Sequence, residues 1–200
     1  MEIRMFDRLF RRRTVPLELQ LEQLIACGIR LNDGFGVEHL LNSFDRQRYE
    51  SDPYELLLVM MGSEFEVEPF PRLSENVWHL DTECIEDHGS YARVAERIQA
   101  LAAPSLQLSD IRDYVDLEEQ KASLSFRLKG KEVLWNAEVN DDWIDAAILS
   151  NFAQLVAENC GGKRLTYLDL IGQDCLIGCS SNDELSLLKR TTGLAFEWLK

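Results

Sequence analysis

The stretch from Leu124 to Val139 constrains this chain more than any other. Leu124, Phe126 and Leu128 alternate with Ser123, Ser125 and Arg127, then Lys129-Gly130 intervenes, then Val133, Trp135, Ala137 and Val139 alternate again. A period of two places successive side chains on opposite faces of a sheet, and a two-residue break ending in glycine suits a tight hairpin. Extended back to residue 111, the segment predicts a three-stranded antiparallel meander with one wetter face.

Helical periodicity governs much of the rest. Thr14 and Pro16 open a predicted helix whose stripe is Leu17, Leu21, Leu24 and Ile25, ended by Gly28. Val37, Leu40, Leu41 and Phe44 repeat at the same spacing. Asp52-Pro53-Tyr54-Glu55 reads as a cap, a first-turn proline and a capping-box glutamate before the apolar run Leu56–Met61. Gly89-Ser90 opens a helix with Tyr91, Val94, Ile98 and Leu101 inside. Asn140-Asp141-Asp142 reads as the start of the clearest helix, with Ile144, Ala147, Ile148, Phe152, Leu155 and Val156 buried. Ser181 and Glu184 form a capping box for a last short helix. Further strands are expected over Val77–Ile85, Leu165–Leu170, Cys175–Cys179 and Leu194–Leu199. The fold class is therefore α+β: a mainly antiparallel sheet covered by helices, with residues 14–200 as a single domain sharing one interior.

Charge bounds the partners. The 200 residues carry a net charge of −14. Residues 1–13 hold five arginines (Arg4, Arg8, Arg11, Arg12 and Arg13) against Glu2 and Asp7, a local +3 that leaves −17 on the remainder. An acidic body repels phosphates, so no nucleic-acid partner is expected, and a basic protein suits it. The N-terminal segment, with Ile3, Phe6 and Phe10 near one stripe, could make weak peripheral contact with an anionic membrane; a loosely docked terminus is the plainer reading.

The five cysteines, Cys27, Cys84, Cys160, Cys175 and Cys179, form no C-x-x-C pair. Cys175 and Cys179 lie on one predicted strand, about 13 Å apart at roughly 3.3 Å per residue, too far to bridge. Free thiols in a reducing cytoplasm are expected. No phosphate-binding glycine loop and no G-x-S-x-G elbow occurs, so no cofactor is expected.

The densest polar cluster runs from Trp78 to His88 and contains His79, Asp81, Glu83, Asp87 and His88. These residue types bind metals and move protons. His79 and Asp81 share one strand face about 6.6 Å apart, so both could touch one ion, whereas Glu83 is twice as far from His79. A metal-dependent hydrolase built on these five residues is one reading; a polar strand end is the other. Asn140, Asp141 and Asp142, with Asp145 and the later Asp169 and Asp174, form a second acidic group of a kind that can hold Mg²⁺ or Ca²⁺, although helix initiation explains Asp141 and Asp142. Trp78 and Trp143 flank both groups and are candidates for a partner surface, although core packing explains most tryptophans.

Three stretches, Asn76 to Gly89, Glu138 to Trp143 and Gly172 to Gly178, resemble an uncharacterised bacterial family with no assigned activity. The resemblance implies a bacterial cytoplasmic protein and carries over no catalytic residue. The sequence reading therefore leans away from an enzyme. It favours an intracellular protein-binding protein with an acidic surface, comparable only by analogy with toxin-neutralising immunity proteins and inhibitors.

Overall fold

The computed structural model describes residues 14–64 and 71–200. The basic segment 1–13, and with it the expected membrane contact, lies outside the described residues. The fold is α+β, with seven helices and two antiparallel sheets among the described residues.

Four strands form the central layer: β1 (Val77–Asp81), β6 (Asp174–Ser180), β5 (Arg164–Asp169) and β7 (Glu197–Trp198), in the order β1-β6-β5-β7. Both faces of this sheet are covered, and β6 shows it. Cys175 and Ile177 enter one apolar cluster while the intervening Leu176 enters another. The expected single interior is in fact two, divided by the sheet. A buried strand must be apolar on both faces, which is why Cys175–Ile177 reads as a continuous run rather than an alternation.

On the Leu176 side lie α1 (Leu17–Ala26), α3 (Arg46–Ser51), α4 (Glu55–Gly62) and α7 (Asn182–Thr192), burying Leu17, Leu24, Tyr49, Leu57, Leu58, Met61, Leu185 and Leu188. The short α2 (Val37–Leu41) adds Leu40. On the Ile177 side lie α5 (Ser90–Leu101) and α6 (Ala146–Asn159), and beyond them the meander β2 (Leu108–Asp116), β3 (Lys121–Leu128) and β4 (Lys131–Ala137). Phe152 of α6 joins these layers. Its ring lies 6.0 Å from that of Phe126, stacked, and 4.9 Å from that of Trp135, edge-on. Truncating such a buried ring costs about 3–5 kcal/mol.

The meander is as the alternation requires. Leu124 faces Trp135 and Phe126 faces Val133 across β3 and β4, and Lys129 and Gly130 both take positive φ at the turn. The capping box of α7 is also present: Ser181 Oγ accepts from the Glu184 amide, and Glu184 accepts from the Ser181 amide at 2.7 Å.

Other expectations are corrected. Thr14 does not cap α1, which follows Pro16 with no side-chain cap, and Ile25 points outward at 60% exposure. Gln20 is buried instead: its Nε2 donates to Val15 O and Tyr49 O, and its Oε1 accepts from the Tyr54 amide. That last bond holds Tyr54 at φ 78, so Tyr54, not Asp52, precedes α4, and Pro53 lies outside the helix. Helix α3 lacked an apolar stripe long enough to be seen. Strand β1 ends at Asp81 rather than Ile85, and Ile85 turns into the cluster on the Ile177 side. Helix α6 begins after Asp145, whose carboxylate accepts from the Ala147 amide, so Asp141 and Asp142 are not its first turn. The C-terminal strand shrinks to Glu197–Trp198.

Candidate functional site

The correction at α6 changes the meaning of its preceding acids. Relieved of a helix-starting role, Asn140 to Trp143 forms a turn at one end of the molecule, with Asp141 at φ 51 and the Trp143 amide donating to Asn140 O. Two other turns meet it. Thr82 donates through both its amide and its hydroxyl to Gln173 O (2.9 and 2.6 Å), Ile144 donates to Thr82 O, and Ile85 donates to Asp142 O. Glu83 and Trp143 pair as an isolated antiparallel bridge. The three stretches singled out in the sequence for their resemblance thus interlock through backbone bonds. Nothing in their spacing announced it, because the partners are 57 to 91 residues apart, a separation only tertiary structure closes.

This tip carries acid and exposed apolar surface together. Asp81 and Asp174 face each other across β1 and β6, and Gln173 Nε2 donates to both oxygens of Asp81 at 3.1 Å. The Asp81 carboxylate also accepts from the Glu83 amide. Asp169 Oδ1 accepts from the Ile171 amide, pinning the β5–β6 hairpin. Ile171 itself is 91% exposed at φ 67, and Trp143 is 38% exposed. A β-branched residue with positive φ is a true backbone outlier, and such strain concentrates at functional sites. Trp143 is a tryptophan named above as a candidate for a partner surface, whereas Ile171 is missed by a reading that assigns apolar residues to cores. Only the positive φ and the turn chemistry of Ile171-Gly172-Gln173 mark it.

The five residues of the Trp78–His88 cluster do not converge. His79 and Asp81 line one side of a cleft of about 580 Å³, whose other residues include Ser63, Trp78, Cys84, Arg93 and Arg97. Glu83 is held in its backbone bridge at the tip. Asp87 lies 3.9 Å from Arg93 at the surface, and the ring of His88 stands edge-on to Tyr114, 5.1 Å between centroids. Among the described residues no three His, Cys, Asp or Glu side chains come together in a way that would hold a metal ion.

What surrounds His79 is a different arrangement, invisible in the sequence. Its Nδ1 lies 3.1 Å from Ser63 Oγ and its Nε2 lies 3.1 Å from Asp174 Oδ1. The serine follows Gly62, which packs directly on the β1 backbone: a Cβ there would stand 2.5 Å from the His79 amide nitrogen. Only glycine at the end of α4 brings the next residue this close to the strand.

The thiols nearby are chemically quiet. Burial, reinforced by the Asp81 carboxylate, pushes Cys84 up to about 11. Burial, reinforced by Asp169 and Asp174, pushes Cys175 up to about 12. A thiol held protonated is neither nucleophile nor metal ligand. Across the cleft, Arg97 is 4% exposed and donates to Val77 O (2.6 Å), Ser74 O (3.1 Å) and Glu75 (2.6 Å). Burial drags its guanidinium down to about 10. It ties α5 to the strand before any catalytic role need be considered.

No protein-family model matches the chain, and neither the curated proteins nor the solved structures searched contain a match. Among the described residues no helix is long and apolar enough to cross a membrane.

Proposed function

We propose that this chain is a protein-binding protein that engages a basic partner through the tip built by Asp81 to Glu83, Asp141 to Trp143 and Ile171 to Asp174. The reading is supported by one observation above the rest: exposed Ile171, strained at φ 67, and exposed Trp143 sit on turns that also carry Asp169, Asp174, Asp141 and Asp142, and Thr82 and Glu83 tie both turns to the end of the strand that bears Asp81. Apolar anchors ringed by like charge suit a partner that offers lysine or arginine around an apolar pocket. The charge gives rate and orientation, and the buried aromatic and aliphatic groups give residence time. Trp78 contributes less than its sequence position suggests, since it packs partly into the core behind β1. The action of immunity proteins and inhibitors on their targets illustrates this class by analogy.

The test is affinity capture with the whole chain, from the organism that carries it, against a Trp143→Ala, Ile171→Asp double variant. The expected result is a basic protein retained by the wild type at physiological salt, weakened by raised salt and lost from the variant. Retention of the same proteins by both forms, or of none by either, rejects the tip as a binding surface.

A further inference from the structure

We propose that Ser63 is a nucleophile, activated by His79 and oriented through Asp174, and that the cleft beside β1 accepts a small activated acyl ester. This goes beyond partner binding and does not depend on it.

The argument begins with a proton count. Ser63 Oγ lies 2.8 Å from Val59 O as well as 3.1 Å from His79 Nδ1. Its single hydroxyl proton can serve only one of them. Val59 O already accepts the Ser63 amide at 3.0 Å, so it stays satisfied when the hydroxyl turns away. Asp174, as a carboxylate, can only accept, so the neutral ring that satisfies it carries its proton on Nε2 and leaves Nδ1 free to accept from Ser63. The neutral imidazole therefore has one fully satisfied state, in which serine donates to histidine and histidine to aspartate. That is the order of a nucleophile, base and orienting acid, recognised by geometry rather than by sequence position. The ring presents Nδ1 to the serine and Nε2 to the carboxylate, the reverse of the commonest arrangement, but the chemistry requires only that the two nitrogens be split between the two partners.

Two further observations make this a built site. Gly62 is needed for the approach of α4 to β1, so the contact is fixed by backbone packing rather than by a long side chain. Ser63 and His79 also line the cleft of about 580 Å³ described above, a size that suits a small ligand. Arg93, 64% exposed and only loosely paired with Asp87, lines the same space and can face developing negative charge.

The step balances without any added oxidant or metal. Ser63 Oγ bonds to the acyl carbon as its proton passes to His79 Nδ1. The ester C–O bond breaks, and the alcohol leaves with that proton. Water then attacks the acyl-serine, giving its proton to His79, which returns it to Ser63 as the carboxylic acid is released.

The test is labelling of the folded, full-length protein with a fluorophosphonate, followed by peptide mapping, and hydrolysis of 4-nitrophenyl acetate with a pre-steady-state readout. The expected result is one adduct, on Ser63, whose rate of formation falls about 100-fold or more in His79→Ala and about tenfold in Asp174→Asn. The acetate assay should show a burst of one equivalent that Ser63→Ala removes. No adduct on Ser63 in the wild type, or labelling of equal rate in wild type and His79→Ala, overturns the assignment. Because the wild-type measurement alone can overturn it, an unfolded variant does not shelter the proposal. A chain that labels at Ser63 yet captures no partner separates this activity from the tip.

Discussion

His79 and Asp174 belong to neighbouring strands, two residues out of direct register, and meet as Nε2 and Oδ1 at 3.1 Å. The strand pairing sets His79 opposite Leu176 and Asp81 opposite Asp174, so the histidine reaches its carboxylate diagonally along one face. That diagonal couples the acidic tip to the cleft, because Asp174 serves both.

Gly62→Ala should lower stability by about 1–3 kcal/mol, the usual cost of forcing a methyl into packed backbone. The added Cβ meets main chain, the His79 amide nitrogen and Trp78, and not a yielding side chain. Equilibrium urea denaturation measures the loss. An unchanged midpoint would show that α4 slides freely on β1, and the Ser63–His79 geometry would lose its support.

Ile171→Asn should raise stability while weakening partner capture. Asparagine tolerates the left-handed region far better than a β-branched residue, and Ile171, 91% exposed, loses almost no packing. A gain of about 0.5–1.5 kcal/mol is expected in thermal or denaturant unfolding. A destabilised variant would show that the isoleucine packs on something after all.

Asp113→Ala should cost about 1–2 kcal/mol. Helix α5 starts at Gly89 without a side-chain cap of its own. The Asp113 carboxylate, from β2, accepts instead from the amides of Gly89 (2.7 Å), Tyr91 (2.8 Å) and Ala92 (3.2 Å). Asp113→Asn, which keeps one acceptor oxygen, should recover part of the loss; equal losses in denaturation midpoint would count against the cap.

The protein should lose stability in alkali from about pH 9 upward. Thiols in the unfolded chain ionise near 9.0, whereas burial holds Cys84 up to about 11 and Cys175 and Cys179 up to about 12 in the fold. The folded state therefore keeps protons that the unfolded state has released. Their stabilising share is intact below pH 9 and disappears as pH climbs through the folded values. Each thiol contributes a slope of at most about 1.4 kcal/mol per pH unit within that window. Denaturation midpoints at pH 8, 9 and 10 measure the trend, and Cys175→Ala should make it shallower than wild type. A flat profile would mean that these thiols are not sequestered.

How much of this was legible depends on the distance over which each feature is determined. The meander and the α7 capping box were readable because alternation around Lys129-Gly130 and the Ser181–Glu184 spacing are local. The start of α4 is not legible locally, because Asp52-Pro53 is a sound local signal overruled by Gln20, which holds the Tyr54 amide from 34 residues away. The place of Asp141 and Asp142 is hidden for the same reason, since Asp145 offers an equally good cap and Thr82 and Ile85 claim the backbone before it. Of the candidate residues, His79, Asp81, Asp141, Asp142, Trp143 and Asp174 lie at the tip or the cleft, and Glu83 joins them through its backbone. Asp87 and His88 turn elsewhere. Ser63 could not be found in advance: nothing beside it in the chain hints that a histidine sixteen residues later will meet it, or that an aspartate from a distant strand will meet that histidine.

The dividing sheet has a consequence for synthesis. Leu17, Leu24, Tyr49, Leu57 and Met61 complete their cluster with Leu168, Leu176, Leu185, Leu188 and Phe196. A ribosome releases the helical first third well before those late leucines emerge. Until then the nascent chain carries a greasy, unshielded surface that must be chaperoned or kept from its neighbours, and the last forty residues act as the latch that ends this exposure.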